Sequence, residues 1–302
     1  MLLFLSPDDV LQRGLDHFVS GFFEASQRTN KNKKESFWKI FGCSSTCVAK
    51  IWFDILDQVP AQEKTERDFK MFLSSLYFLY QYPKNAKVLG ACFGVSQRMV
   101  EGNNLWKWLK RISALKDKVI VWPEEEFNDP NGAILIATVD GIDFHTWEPK
   151  HPFFPLDKGA MLHKYRKAAL KYEIAVHLNK SQIVWINGPF PGAVHDKVIY
   201  CSGLKDKIPP GKKILSDSVY SSAAHPDDHA KLALKDPLDD KQTAKYKARG
   251  TSRHETLNGR LRFFKSLSNT YRHKKENHRF ILYSVAVIVQ TEMNMGHELF
   301  AI

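Results

Sequence analysis

Asp140 stands in VDGID, Asp196 in PGAVHD, Asp217 in ILSDSVY and Glu255 in SRHETLNGRLRF. Each acid lies at the end of a strand-like run or the start of a helix-like one. Carboxylates gathered from separate elements are what a magnesium-dependent phosphoryl-transfer site needs. The ion prefers hard oxygen ligands and keeps several waters, so a few carboxylates suffice. Two such ions about 4 Å apart can activate an attacking oxygen and stabilise the leaving one during phosphodiester cleavage. Taken singly, each acid also has an ordinary reading. Asp140 and Asp217 fit turn residues at strand ends, and Asp-Gly is a common turn signal. Asp143, three residues beyond Asp140, falls on the opposite face of a strand. Asp196 fits a helix N-terminus, where the macrodipole favours an acid. Ser252-Arg253-His254-Glu255 fits a capping box, which would make Glu255 a helix-start residue. His195 and His254 each directly precede an acid and read as structural residues before proton carriers. His163-Lys164 falls in a loop that could face substrate.

Charge supplies the second clue. The 302-residue chain carries a net charge of +11, and twelve Lys/Arg against two Glu between Lys241 and Phe280 give that stretch a balance of +10. Cations beside candidate metal carboxylates imply a polyanionic partner, because phosphates attract Lys and Arg whatever the base sequence. The bland alternative is a solvated basic face or a tail near an anionic membrane. On a helix beginning near Ser252, Glu255, Gly259 and Arg262 share one face, while Leu257, Leu261 and Phe264 form the buried stripe. Gly259 leaves space beside the acid. Arg253, Arg260, Arg262 and Lys265 become candidate phosphate contacts.

The elements that must position these residues follow from pattern. Residues 1–65 read as a helical N-terminal region, with a polar loop at Gln27–Ser36. Residues 66–115 read as a helix-turn-helix region. Asp68–Tyr82 carries a helical apolar face that Pro83 ends. In NAKVLGACFGVSQRMVEGNNLWKWLKRI, Gly94 supplies a tight turn and Ser96 caps a second helix. That helix presents Gln97 and Arg98 first, as a DNA-reading helix does, although an ordinary helical hairpin fits equally. Residues 116–132 read as a linker. Residues 133–302 form the last domain. It opens with a strand over Ala133–Trp147, then a hairpin of Tyr172–Leu178 and Gln182–Ile186. NGPFPG (187–192) reads as a turn and Ala193–Ser202 as a helix. Lys212–Asp217 is a strand, and an insertion follows at about 225–250. The basic helix from Ser252 comes next, then an apolar helix over Glu276–Met293 packed on the sheet. Three strands, a helix, a strand, an insertion and a helix is the order of an RNase H-like fold. The fold class is therefore α/β: a mixed sheet flanked by helices, preceded by a mainly α-helical region with a helix-turn-helix. That topology makes Asp140, Asp217 and Glu255 the catalytic three and leaves Asp196 as an accessory ligand.

Cys43, Cys47, Cys92 and Cys201 lack the paired spacing of a zinc finger and read as reduced, mostly buried thiols. The apolar start MLLFLSPDDV is too short for a signal peptide, and Phe280–Val289 is too short for a membrane span. The expectation is a soluble intracellular protein.

The series VDGID, YEIAVHLNKSQIVWINGPFPGAVHD, ILSDSVY and RGTSRHETLNGRLRFFKSLSNTYRH resembles the DDE-type transposases of the PIF/Harbinger superfamily, eukaryotic relatives of the IS5-like enzymes. The resemblance covers roughly residues 130–295, with four motifs in order, and the FGVS helix-turn-helix resembles the DNA-binding segment that often precedes this nuclease. It implies a core binding two divalent ions, normally magnesium (manganese as substitute), that cuts double-stranded DNA at element ends and joins 3′-hydroxyls to target DNA. By position Asp140 matches the first Asp, and Glu255 the Glu of the final helix. Asp196 and Asp217 match two further family Asp, either of which could be the second core ligand. It further implies a nuclear protein, cytoplasmic without its partner, that works with a Myb-like accessory protein, or as a homo-oligomer, away from membranes. Two positions depart from the pattern: Asp143 stands where His is frequent, and Ser218-Val219 where Gly often precedes the Tyr. A domesticated DNA-binding protein without cleavage, and a magnesium phosphohydrolase acting on small substrates, are the competing readings.

Overall fold

The computed structural model describes residues 4–18, 29–148, 161–162, 167–220, 231–234 and 236–302. The His163-Lys164 loop and residues 225–230 of the expected insertion lie outside them. The chain divides into two compact units. The first comprises Met1–Val119, Leu261–Asn269 and Glu276–Gly296; the second comprises Ile120–Arg260, Thr270–Lys275 and His297–Ile302.

The first unit is helical, and its helices begin on residues whose side chains take up an orphan backbone N–H. Ser6, Thr29, Ser44, Thr65, Asn85 and Ser96 each accept such a bond at the start of Pro7–His17, Asn30–Phe41, Ser45–Ile55, Glu66–Gln81, Ala86–Phe93 and Gln97–Met99. Of the expected loop at Gln27–Ser36, residues 27–28 lie outside the described ones and 30–36 are helical instead: Thr29 caps a helix whose buried Phe37, Ile40 and Phe41 outweigh its polar start. The apolar face read over Asp68–Tyr82 is the buried face of Glu66–Gln81, with Phe69, Phe72, Leu73, Leu76 and Leu79 inaccessible to solvent. Trp52 packs against Phe69, Phe72 and Trp108 at ring separations of 5.0–5.6 Å, a range favourable for aromatic pairs. The apolar helix His278–Asn294 belongs to this unit, packing on Leu105–Ala114 and Ser45–Ile55, and not on the sheet as its apolar sequence suggested.

The second unit is a mixed sheet flanked by helices. Its strands are β1 (Leu135–His145), β2 (Met161–Leu162), β3 (Lys167–His177), β4 (Ile183–Pro191), β5 (Lys213–Leu215) and β6 (Leu232–Ala233). β3 lies antiparallel to β1, β2 and β4; β5 runs parallel to β1, and β6 parallel to β5. This is the order expected of an RNase H-like core. NGPFPG is not a turn, because β4 continues through it to Pro191. A proline survives there since, among the described residues, β4 pairs only with β3 and lies at an edge. The stretch expected as a linker is partly core: Trp122 and Phe127 are buried with Ile136, Val139, Tyr200 and Ile214.

The long helix Lys241–Arg262 starts eleven residues before the expected Ser252. Asp240 caps it, accepting the N–H of Gln242 and Thr243 at 2.8 and 2.9 Å. The helix meets the sheet at Gly250, where an added Cβ would sit 2.9 Å from both Leu178 Cδ1 and Leu215 Cδ2. We predict that Gly250→Val overpacks this contact and costs about 1–3 kcal/mol, read as a lower urea midpoint without a change in slope. An unchanged midpoint would show that the helix does not rest on the sheet there.

Candidate active site

β1 and β5 set the first two carboxylates side by side. Thr138 pairs with Leu215 in the parallel register. Asp140 and Asp217 each lie two residues further on, so they leave neighbouring strands at the same level, toward the same face. Glu255 arrives from the helix Lys241–Arg262. Asp140, Asp217 and Glu255, with Thr138, Ser216, Ser218, Thr251 and His254, line one cleft of about 500 Å³.

Two bonds fix the helix over β1. Thr138 Oγ1 and His254 Nδ1 lie 2.7 Å apart, and Asn258 Nδ2 donates to Asp140 Oδ2 at 3.2 Å. Residues 254 and 258 are one turn apart, so they grip the strand from one helix face and leave Glu255 beside them at the solvent edge. His254 is buried, and burial lowers its pKa to about 4. It is a neutral positioning residue at pH 7. The capping-box reading of Glu255 fails, because Ser252 lies well inside the helix. Leu257, Leu261 and Phe264 are buried as expected, and nothing lies within 4 Å of a Cβ placed on Gly259. His195 caps Asp196–Cys201, its Nδ1 accepting the Lys197 N–H at 3.3 Å.

Asp196 is placed differently from the other three. A Cβ added to Gly141 would lie 2.6 Å from Asp196 Oδ1, so the carboxylate rests against bare backbone on the Gly141 face of β1. Gly141 and Asp140 present opposite faces, and Asp196 does not line the cleft. It pairs instead with Lys171 Nζ at 3.0 Å, an ion pair without hydrogen-bond alignment. Lys171 and Glu173 stand opposite Asp143 and Gly141 in the ladder, on that same face. Burial pushes Glu173 up to about 8; Trp185 Nε1, donating at 3.0 Å, opposes this and the Asp196 charge adds to it. Sequence reasoning overlooked Asn258, Lys171 and Glu173. Charged residues inside the buried run KYEIAVH and an Asn in mid-helix were the available signals.

The expected DNA contacts divide. Gln97 and Arg98 are exposed at a helix start, with Gln97 donating to Glu101 at 2.7 Å. In the helix that follows, Lys107 and Arg111 both meet Glu63 and Arg111 stacks on Trp108, while Lys110 stays exposed. Arg253 is a correction. It is buried and donates to the Phe300 carbonyl and to Ser181 Oγ. Arg260 likewise donates to the carbonyls of His297 and Glu298, and Arg249 to that of Ala301. These arginines satisfy the C-terminal backbone, whose carbonyls would otherwise want partners. Arg262 and Lys265 remain solvent-exposed, Lys265 bonding Gln81 Oε1 at 2.7 Å.

Burial pushes Asp140 up to about 6, with the neighbouring charges of Asp196 and Asp217 adding to it and its Asn258 bond opposing it. The donor set is all hard oxygen, which suits magnesium or manganese, and a cation would relieve the cost of ionising Asp140. No three carboxylate oxygens of Asp140, Asp196, Asp217 and Glu255 lie within 4.8 Å of one another. The set therefore suits ions each held by one or two carboxylates and completed by water or substrate oxygens. Burial holds Asp140 at about 6 in the folded chain, above the ordinary 3.8 it regains on unfolding. The unfolded chain thus loses its proton first as pH rises, and stability falls between about pH 4 and 6 and stays lower above that. In chelator, Asp140→Asn is expected to stabilise the protein at pH 8 by up to about 3 kcal/mol, an advantage that vanishes below about pH 4. Urea melts at the two pH values check this; a destabilised variant at pH 8 would contradict it.

The model of the DDE superfamily endonucleases matches residues 139–290, a span holding all four acids. No match to a curated protein was found. Solved structures with some similarity include a pre-cleavage Mos1 transpososome, with 10% identity over 96% of this chain and 96% of that one and a TM-score of 0.23. They also include a Mos1 mariner paired end complex with Mn, with 12% identity over 92% and 96% and a TM-score of 0.29. Scores so low decide nothing about function. With half its length covered by the family model, the chain belongs to the DDE superfamily endonucleases.

Proposed function

We propose that the chain is a metal-dependent DNA endonuclease of the transposase type, cutting element ends and joining 3′-hydroxyls to target DNA. The observation that carries this is the shared cleft of Asp140, Asp217 and Glu255, with the two aspartates levelled by the Thr138–Leu215 pairing. Two magnesium or manganese ions held there would supply an activated water or 3′-hydroxyl and a stabilised leaving oxygen. Asp140, which feels the Asp217 charge and is held by Asn258 from the helix that carries Glu255, would be a metal ligand. Asp217 and Glu255, both exposed, face the side from which a phosphodiester approaches. Asn258 holds the Asp140 carboxylate in one orientation, and Ser218, donating to Asp217 Oδ1 at 3.0 Å, does the same for its neighbour. Arg262 and Lys265 fit phosphate contacts, and Gln97 and Arg98 fit a DNA-reading helix start. The PIF/Harbinger resemblance supports the finer assignment, with a Myb-like accessory protein, a nuclear site of action and assembly as a homo-oligomer.

The test is cleavage of duplex DNA carrying the element's terminal repeats, in magnesium. Asp140→Ala, Asp217→Ala and Glu255→Ala are each expected to lower the rate at least about 1000-fold, equivalent to about 4 kcal/mol of barrier. Asp196→Asn should leave measurable cleavage. Equal cutting by the first three variants would overturn the site. Tight duplex binding with no cutting by the wild type in either metal would favour the domesticated, non-cleaving reading.

A further inference from the structure

Outside the cleft, one cluster of ligand-type side chains is fully enclosed. Cys43 and Cys47 flank the start of the helix Ser45–Ile55, and Glu292 comes from the helix His278–Asn294 in the same unit. All three are buried, both sulfurs fully. One ligand atom from each lies within 4.8 Å of the other two, and among the described residues no other group of three does so. Nearly 250 positions separate the cysteines from the glutamate, so the spacing of the cysteines alone could not reveal the site.

The surroundings are those of an oriented ligand set. Ser44 donates to Glu292 Oε1 twice, from its backbone N–H at 2.6 Å and its hydroxyl at 2.9 Å. The same hydroxyl accepts the Cys47 N–H at 3.1 Å. One residue thus holds both the carboxylate and the cysteine-bearing turn, as outer partners do around metal-bound carboxylates. The Cys47 thiol donates to the Ile288 carbonyl at 3.7 Å, one turn before Glu292. Burying a carboxylate beside two sulfurs is costly, and a cation offsets that cost more fully than hydrogen bonds from neutral groups do.

We propose that Cys43, Cys47 and Glu292 form a structural site for one zinc-class divalent ion, tying Ser45–Ile55 to His278–Asn294. Two soft sulfurs select zinc over magnesium, so this ion is distinct from those of the cleft. Burial pushes the Cys47 thiol well above its ordinary range, so a bound cation would displace its proton rather than find a thiolate ready. A single water would complete a tetrahedral set.

The test uses the full chain, reduced and purified without chelator. Elemental analysis is expected to find about one zinc per chain. Chelation should lower the melting temperature by several degrees. Cobalt substituted for zinc should give sulfur-to-metal charge-transfer absorption, which carboxylates of the cleft cannot produce. Cys43→Ser and Cys47→Ser should each lose most of that absorption, while Cys201→Ser keeps it. The wild-type titration needs no variant to fold. Four free thiols with no cobalt–sulfur absorption would overturn the proposal. So would a Cys43–Cys47 disulfide in metal-free protein as purified, or full absorption in a Cys43→Ser, Cys47→Ser double variant.

Discussion

The long helix can lie on the sheet because residue 250 has no side chain. Any Cβ there would press into Leu178 and Leu215, the latter being the β5 residue paired with Thr138. That close approach lets His254 reach Thr138 and Asn258 reach Asp140. Glu255 is carried to the cleft by the same rigid turn. The geometry of three carboxylates thus reduces to one parallel strand pairing and one helix–sheet contact, both built from apolar or neutral groups. Such a scaffold holds its shape whether or not the acids are charged, which is what preorganisation for changing charge requires.

The electrostatics run against stability and toward binding. Asp140 sits at about 6 and Glu173 at about 8, each raised chiefly by burial. Both lie near Asp196, which Lys171 neutralises on the far face of β1. The lysine compensates one acid of the group. A strongly raised carboxyl in a cleft, as Asp140 is, is a recurring mark of functional sites. The basic surplus serves a more mixed purpose than its position suggested. Arg249, Arg253 and Arg260 are spent on the C-terminal backbone, leaving Arg262 and Lys265 as the exposed cations nearest the end of the helix.

Much of the second unit was legible in sequence because its strands are bounded and apolar. β1, the β3–β4 hairpin and β5 fall where their β-branched runs lie; Asp217 follows β5 and Asp196 opens its helix as expected, but Asp140 lies within β1 and Glu255 deep inside the long helix. The start of the long helix was hidden by composition. KQTAKYKARG has no apolar stripe and ends in a glycine, which reads as a breaker until packing shows why it is required. The Pro- and Gly-rich end of β4 read as a turn for a similar reason, since only edge position makes proline tolerable in a strand. The apolar helix His278–Asn294 gave no sign of which core it joins; burial on nearly every side is compatible with a sheet or a bundle. The roles of Asp196 and Arg253 depend on partners brought in by the fold, Lys171 and the Phe300 carbonyl, and no local pattern announces them.

The most direct test of the central claim is anomalous scattering from crystals of the protein soaked in manganese. The account predicts density for manganese in the cleft between Asp140 and Asp217, with Glu255 in or near its coordination shell. Manganese bound instead at Asp196, or none in the cleft while Asp140 and Asp217 keep their present positions, would contradict it.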